Sequence, residues 1–240
     1  MQPSWRAKRP LYPVEPVNSL ESTPLEPRVL FERDGVIAVD KPFDLPTSGR
    51  SLEDEDCLQY HLMQRHGGMA WAVHQLDADT SGINLFTIRK SLVEPLKKAL
   101  SAPAAAKRYL AVLHGRPRWV ETTCRAPLGP IDATNLGVTS DGRAACSHFR
   151  VQDATDTHAL VEVRIETGRT HQIRIHASHL GHPLVGEEWY REPPCTLHGR
   201  QALHAWRLEL RGPVDLDLEA PIPSDLDGLL VRLGLHAGCE

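Results

Sequence analysis

Apolar residues in this chain come mostly in short runs with a two-residue period, broken by turn-forming pairs. Only a few stretches carry the three-to-four-residue period of a helix. Residues 29–31 and 36–40 read as two strands joined at Asp34-Gly35, a pair favoured in tight hairpin turns. Lys41-Pro42 ends the second strand, because proline has no N–H to give a ladder. Leu58 and Leu62, four apart, predict a helix over 57–65, with the acidic run Glu53-Asp54-Glu55-Asp56 at its positive end. The apolar residues 70–73 lead into a turn rich in Asp, Thr, Ser and Gly, and 83–88 lead out as a strand. Ser91-Leu92-Val93-Glu94 has the form of a capping box opening a helix over 92–100. Residues 107–113 read as a strand with Tyr109, Ala111 and Leu113 on one face. Two further strands, 144–151 and 158–166, are joined by the polar segment 152–156. Residues 167–181 follow as turn, N-cap and helix, with Ile173, Ala177 and Leu180 as the apolar stripe and Gly181 at the C-cap. A late strand at 202–210 and a helix at 224–233, with Asp227 in its first turn, close the pattern. Strands outnumber helices and mostly follow one another, which predicts an α+β fold on a mixed, largely antiparallel sheet with flanking helices.

Composition narrows the class without changing this picture. A chain of 240 residues, 41% hydrophobic and 24% charged, suits a globular protein with a substantial core. No apolar run approaches the roughly 20 residues of a membrane span, and the basic N-terminus lacks the apolar segment of a secretory signal. No membrane association is expected. Five scattered cysteines with no Cys-x-x-Cys argue against a disulfide framework or a zinc ribbon, and place the protein in a reducing cytoplasm. Residues 1–28 hold six prolines and little periodicity, so an irregular arm is expected there. It is too short for a separate folded domain, and residues 29–240 are expected to form one domain.

Net charge is −4, yet it is unevenly spread: residues 88–118 carry eight basic side chains against Glu94 alone, whereas 213–240 carry six acidic ones against Arg232. Such polarity can offer a phosphate-binding face on an otherwise acidic protein, or it can simply solvate a helix and its loops. Two places concentrate possible chemistry. Asp77 sits in the turn between two apolar runs, where scaffold-held loops tend to carry reactive groups; the plainer reading is an Asx turn. Arg169, Thr170, His171, Gln172 and Arg174 crowd one helical turn, an arrangement suited to an anion. If that turn meets the Asp77 loop, Arg174 can hold the aspartate ionised.

The residues then match a known pattern. His74-Gln75-Leu76-Asp77-Ala78-Asp79-Thr80-Ser81-Gly82 resembles the signature of the RluA-type pseudouridine synthases. So do Lys41-Pro42, the run from Lys107 to Gly115, the run from Thr167 to His176, Leu180-Gly181-His182-Pro183-Leu184-Val185-Gly186, and Leu203-His204-Ala205. These six segments occur in the family's order over most of the chain. The resemblance implies the pseudouridine synthase fold with a central RNA-binding cleft, and conversion of an RNA uridine to its carbon-linked isomer. It implies no metal and no cofactor, and a ribosomal or transfer RNA partner; a monomer is expected. By motif position Asp77 would be the catalytic aspartate, attacking the anomeric carbon or removing the 2′ proton to give a glycal. Tyr109 would stack on the base and help the last proton leave carbon 5, and Arg174 would pair with Asp77. His74, Gln75, Leu76, Thr80, Arg169, Thr170, His171, Gln172, Lys107 and Arg108 would contact substrate.

The family usually has arginine where Gln75 stands, and glutamine keeps hydrogen bonding but loses the charge and the planar fork. That leaves a catalytically weak or inactive RNA-binding relative as the alternative. Two other readings fit less well. Asp77-Ala78-Asp79 resembles the Asp-x-Asp of haloacid-dehalogenase-type phosphatases, but the residues around it differ. His171, His176, His179 and His182 suggest a metal cluster, though Gly181 and Pro183 interrupt the helix before the last.

Overall fold

The computed structural model describes residues 27–238. The expected proline-rich arm lies outside the described residues except for its last two, and Arg28 already belongs to the first strand.

Strands β1 (Arg28–Arg33) and β2 (Val36–Lys41) form the expected hairpin, with Asp34 and Gly35 both at positive φ (55° and 82°), as a tight two-residue turn requires. Helix α1 (Leu58–His66) follows, capped by the Cys57 thiol at Tyr60 N and closed by Gly67 in the left-handed region. Then come β3 (Trp71–Ala72), β4 (Ser81–Thr87), helix α2 (Val93–Leu100) and the long strand β5 (Ala106–His114). Next are β6 (Glu121–Cys124), β7 (Leu128–Pro130), β8 (Leu136–Val138), β9 (Ser147–Ala154) and β10 (His158–Ile165). The chain ends with α3 (Gln172–His179), β11 (Leu203–Leu210), β12 (Leu216–Glu219) and α4 (Ser224–Leu233).

Ten of the strands form one sheet in the order β1-β2-β4-β11-β5-β10-β9-β6, with β3 on β4 and β12 on β11. Every pairing is antiparallel except β4 with β11, at His204↔Ser81 and Ala205↔Gly82. This one parallel step brings the late Leu203-His204-Ala205 segment against the exit of the Asp77 loop. The backbones touch so closely there that a Cβ on Gly82 would lie 2.2 Å from Ala205 O, and its φ of 105° suits glycine alone.

Both faces of the sheet are covered. Tyr109, Ala111 and Leu113 of β5 pack with Ile173, Ala177 and Leu180 of the α3 region, as their spacing predicts. Leu110 and Val112 face the other way, onto Leu226, Leu229 and Leu230 of α4. Helix α1 covers Ile37, Val39 and Phe86, while α2 covers Val36, Ala38 and Leu85 on the opposite side. The α+β fold on a largely antiparallel sheet is therefore present as expected.

Local expectations failed in three places. No capping box forms at Ser91: residues 90–92 make a 3₁₀ turn, Leu92 takes the N-cap position without a side-chain bond, and Glu94 pairs with Lys97 at 3.0 Å instead. β9 continues through Gln152 to Ala154, so the hairpin loop before β10 is shorter than the polar composition suggested. β6, β7, β8 and β12 have three or four residues each, too short to show a period in sequence. No helix among the described residues is long and apolar enough to cross a membrane.

Candidate active site

A cleft of about 650 Å³ opens over β5, between the loop that precedes β4 and the loop that precedes α3. Asp77, Tyr109 and Arg174, from three distant parts of the chain, all line it.

The Asp77 loop is held from below by two buried cations. Lys41, fully buried, points its ammonium at three carbonyls: Pro42 O (2.9 Å), Leu45 O (2.7 Å) and Ala78 O (2.7 Å). Three acceptors match the three protons of an ammonium. Burial pushes the Lys41 pKa down to about 7, opposed by the nearby Asp79 and Asp77 carboxylates and reinforced by the Arg200 charge. Arg200, 4% exposed, donates Nη1 to Asp79 O at 2.8 Å and bonds Asp225 of α4 through Nε and Nη2 (2.7 and 3.2 Å). Thr47 Oγ1 bonds both the N–H and the carbonyl of Leu76 (3.0 and 3.1 Å), and Thr80 N closes a turn onto Asp77 O at 3.0 Å. A loop with so many fixed backbone groups presents its carboxylate in a set position.

That carboxylate is partly exposed to the cleft. Its Oδ2 lies 3.4 Å from Arg174 Nη1 and its Oδ1 lies 3.8 Å from His171 Nε2. Arg174 is more tightly bound elsewhere: Nε and Nη2 fork onto the fully buried Glu187 at 2.9 and 2.7 Å. Glu187 also accepts the N–H groups of Trp189 (3.0 Å) and Tyr190 (3.3 Å). The strong pair is thus Arg174–Glu187, and Asp77 shares the remaining guanidinium nitrogen, an arrangement that orients the aspartate without consuming both its oxygens. Trp189 and Tyr190 lie 5.1 and 5.3 Å from the guanidinium, within cation–π range. His171 stands at the N-cap of α3 in the left-handed region (φ 54°), with Nδ1 2.7 Å from the Tyr190 hydroxyl. Burial lowers its pKa and Arg174 adds to that, while Asp77 and Glu187 oppose. Tyr109 is 8% exposed, and desolvation, with the Asp77 charge adding to it, pushes its phenol well above the usual range, so the ring stays neutral.

The structure separates the other expected contacts. Gln75, Leu76, Thr80, Lys107, Arg169, Thr170 and His171 line the cleft with the three central residues. His74 lines it too, but its Nε2 accepts the Leu85 N–H at 3.1 Å and burial lowers its pKa to about 4, so the ring props up β4. Gln172 has every amide position committed: Oε1 to Thr167 Oγ1 and Arg169 N, Nε2 to Cys146 O and Ser147 Oγ. It shapes the loop and has no group left for a ligand. Arg108 is not in the cleft. Strand alternation turns it to the opposite face from Lys107 and Tyr109, where it pairs with Glu209 at 3.0 Å. Gln75, at the rim, donates to Ser48 Oγ at 2.9 Å.

Asp79 does not line the cleft, so the Asp-x-Asp pair presents no joint site. Of the four clustered histidines, His176 is buried with Nδ1 against Ser147 Oγ and Nε2 against Ala126 O, and His182 Nδ1 meets His114 O. The three-ligand grouping among the described residues is elsewhere, at Cys146, His148 and Glu166. All four described cysteines are free thiols.

Residues 35–179 match the family described as RNA pseudouridylate synthase. The chain belongs to that family. It is 36% identical over 228 residues to the ribosomal large subunit pseudouridine synthase D of Xanthomonas campestris pv. campestris, covering 85% of this chain and 69% of the relative. It is 34% identical over 230 residues to the uncharacterised RNA pseudouridine synthase YjbO of Bacillus subtilis, covering 91% and 81%. The solved structure of human RNA pseudouridylate synthase domain containing 1 superposes with a TM-score of 0.69 at 26% identity, covering 85% of this chain and 87% of that one. This pseudouridylate synthase is accordingly an isomerase acting on uridine in RNA.

Four residues with no expected role stand outside the cleft lining and hold its charged groups in place. Glu187, Trp189 and Tyr190 surround Arg174, and Arg200 braces the Asp77 loop. Only Glu187 had a usable signal: an arginine expected at the bottom of a cleft needs a counter-charge, and the acidic pair Glu187-Glu188 directly follows the Leu180–Gly186 segment.

Proposed function

We propose that this synthase isomerises a specific uridine in ribosomal or transfer RNA, with Asp77 as the catalytic aspartate. The observation that carries the reading is that Asp77, Tyr109 and Arg174 line one cleft, with the carboxylate 3.4 Å from the guanidinium. The sheet that links β1 to β12 supports treating residues 29–240 as one catalytic domain.

A uridine in structured RNA must leave its stack to reach Asp77, at a cost of about a few kcal/mol. Lys97, Lys107 and Arg169 along the cleft supply positive charge for the backbone on either side. The flipped base meets Tyr109, whose phenol is kept neutral by burial and by Asp77; a neutral ring stacks and relays a proton better than it acts as a phenolate base. Asp77, oriented by Arg174, breaks the glycosidic bond by attack at the anomeric carbon or by taking the 2′ proton. The base turns while held, carbon 5 joins the sugar, and the proton on carbon 5 departs. The relative from Xanthomonas is named for the large ribosomal subunit, which favours ribosomal RNA as the first substrate to test.

The test is to delete the gene, map pseudouridines across cellular RNA, and complement with wild type or Asp77→Asn. At least one site should vanish and return with wild type alone. Loss of no site would refute the substrate class, and restoration by the Asn variant would refute the role of Asp77.

A further inference from the structure

We infer that Trp189 is a stacking platform for a nucleobase next to the target uridine, a binding subsite just outside the catalytic cleft; this rests on RNA being the substrate. The indole is 67% exposed, the largest side chain so exposed among the described apolar residues, although its surroundings are rich in partners. One side is covered: the Arg174 guanidinium lies 5.1 Å from the ring, and the His171 ring meets it at 5.1 Å with the planes at 63°. Both of those residues reach Asp77, so the indole stands one side chain away from the reacting carboxylate.

Its position is also preset. Trp189 N donates to Glu187 Oε1 at 3.0 Å, and Glu187 is the buried anchor of Arg174. With the backbone pinned there and the indole against Arg174 and His171, the ring loses little freedom when a base settles on it, so most of the stacking energy appears as affinity. When the uridine leaves the RNA stack, its neighbour loses a partner, and an indole at the mouth of the cleft replaces the missing face. A cation beneath the ring suits this as well, since Arg174 draws electron density and the exposed face then stacks on an electron-rich base. At 67% exposure the indole has surface open for a base to cover.

The test uses the full chain and the substitutions Trp189→Phe, Trp189→Leu and Trp189→Ala. Binding is read with a short RNA duplex holding one bulged uridine flanked by the fluorescent base 2-aminopurine. Turnover is read on ribosomal RNA from cells lacking the gene. Wild type should quench the 2-aminopurine. Leu and Ala should bind roughly ten- to a hundredfold more weakly, about 1.4–2.8 kcal/mol, and raise KM with kcat held within about twofold. Phe should recover most of the binding. Leucine still covers Arg174, so it separates stacking from packing. Wild-type affinity in the Leu variant, or a fall in kcat at constant KM, would overturn the proposal by showing that the indole acts through Arg174. If ribosomal RNA is not turned over at all, the substrate reading fails, while the binding series still decides for or against the platform.

Discussion

Glu187→Gln probes the support beneath the catalytic aspartate. Glu187 is fully buried and takes four hydrogen bonds: two from Arg174 and one each from the N–H groups of Trp189 and Tyr190. Glutamine of the same shape can keep the acceptor facing Nη2 and the two backbone donors. Its amide NH₂ then confronts Arg174 Nε, donor against donor, and the negative charge is gone. Losing a charge-assisted hydrogen bond costs about 1.5–3 kcal/mol, below the roughly 3–5 kcal/mol of a buried pair broken outright. Some is recovered as Arg174 closes the 3.4 Å gap to Asp77. A net loss of about 2 kcal/mol should lower Tm by roughly 4–8 °C for a chain of this size. Drawing the guanidinium onto Asp77 also ties up the carboxylate, so kcat should fall at least about tenfold while KM changes little.

The loss depends on pH with a definite sign. Burial alone would raise the Glu187 pKa, but the hydrogen bonds and charge of Arg174 outweigh it and hold the carboxyl below its ordinary value of 4.5. The stabilisation is therefore complete above about pH 4.5 and fades as pH falls through the lower folded value. Urea unfolding of both proteins across pH 3–7 is the assay, and the difference should shrink on the acid side. A Glu187→Gln variant that melts within about 1 °C of wild type at pH 7 would refute the reasoning, because the buried pair would then support nothing.

Further outcomes follow from other contacts. Gly82→Ala places a methyl group 2.2 Å from Ala205 O at a φ of 105°, so it should destabilise by about 3 kcal/mol or more, read by urea midpoint. Lys41→Met leaves the Pro42 and Leu45 carbonyls without a donor, while Ala78 O keeps the Leu45 N–H at 3.3 Å; it should cost about 1–3 kcal/mol for each group left unpaired, and hydrogen exchange should rise first in the Asp77 loop. His204 is fully buried and its pKa is pushed down to about 4 by desolvation. The unfolded chain thus binds its proton first, and stability should fall as pH drops from about 6.5 to 4 by up to roughly 3 kcal/mol; His204→Gln should flatten that part of the curve. Gln75→Arg adds charge at the exposed rim and should change the preference among RNA substrates without moving Tm, and equal rates on every RNA would contradict that.

Much of this was legible before any coordinates. β2, β5 and β10 were legible as short apolar runs because the sheet buries them on both faces, and the helical spacing of Ile173, Ala177 and Leu180 marked the stripe that packs on Tyr109, Ala111 and Leu113. Alternation along β5 would have moved Arg108 out of the cleft, since neighbours on a strand face opposite ways. Gln172 lines the cleft as expected, but an amide in a polar turn gives no sign in sequence that all four of its bonds stay within the loop and its neighbours. Lys41 and Arg200 could not be read as loop braces: nothing in a sequence says that a cation will be buried and bonded to the carbonyl of a residue far along the chain, as Lys41 is to Ala78 and Arg200 to Asp79. The Ser91 capping box failed for a local reason, as the chain entered the helix through a 3₁₀ turn that left the serine outside it.

The central claim is that the Asp77 carboxylate performs the isomerisation inside a folded cleft. It is tested most directly by the release of tritium from carbon 5 of uridine in ribosomal RNA by purified protein, wild type against Asp77→Asn. Wild type should release tritium to a fixed plateau per RNA, and the Asn variant should release none above the protein-free control while keeping the same Tm within about 2 °C. Release at a comparable rate by the Asn variant would contradict the account and assign the chemistry to another group.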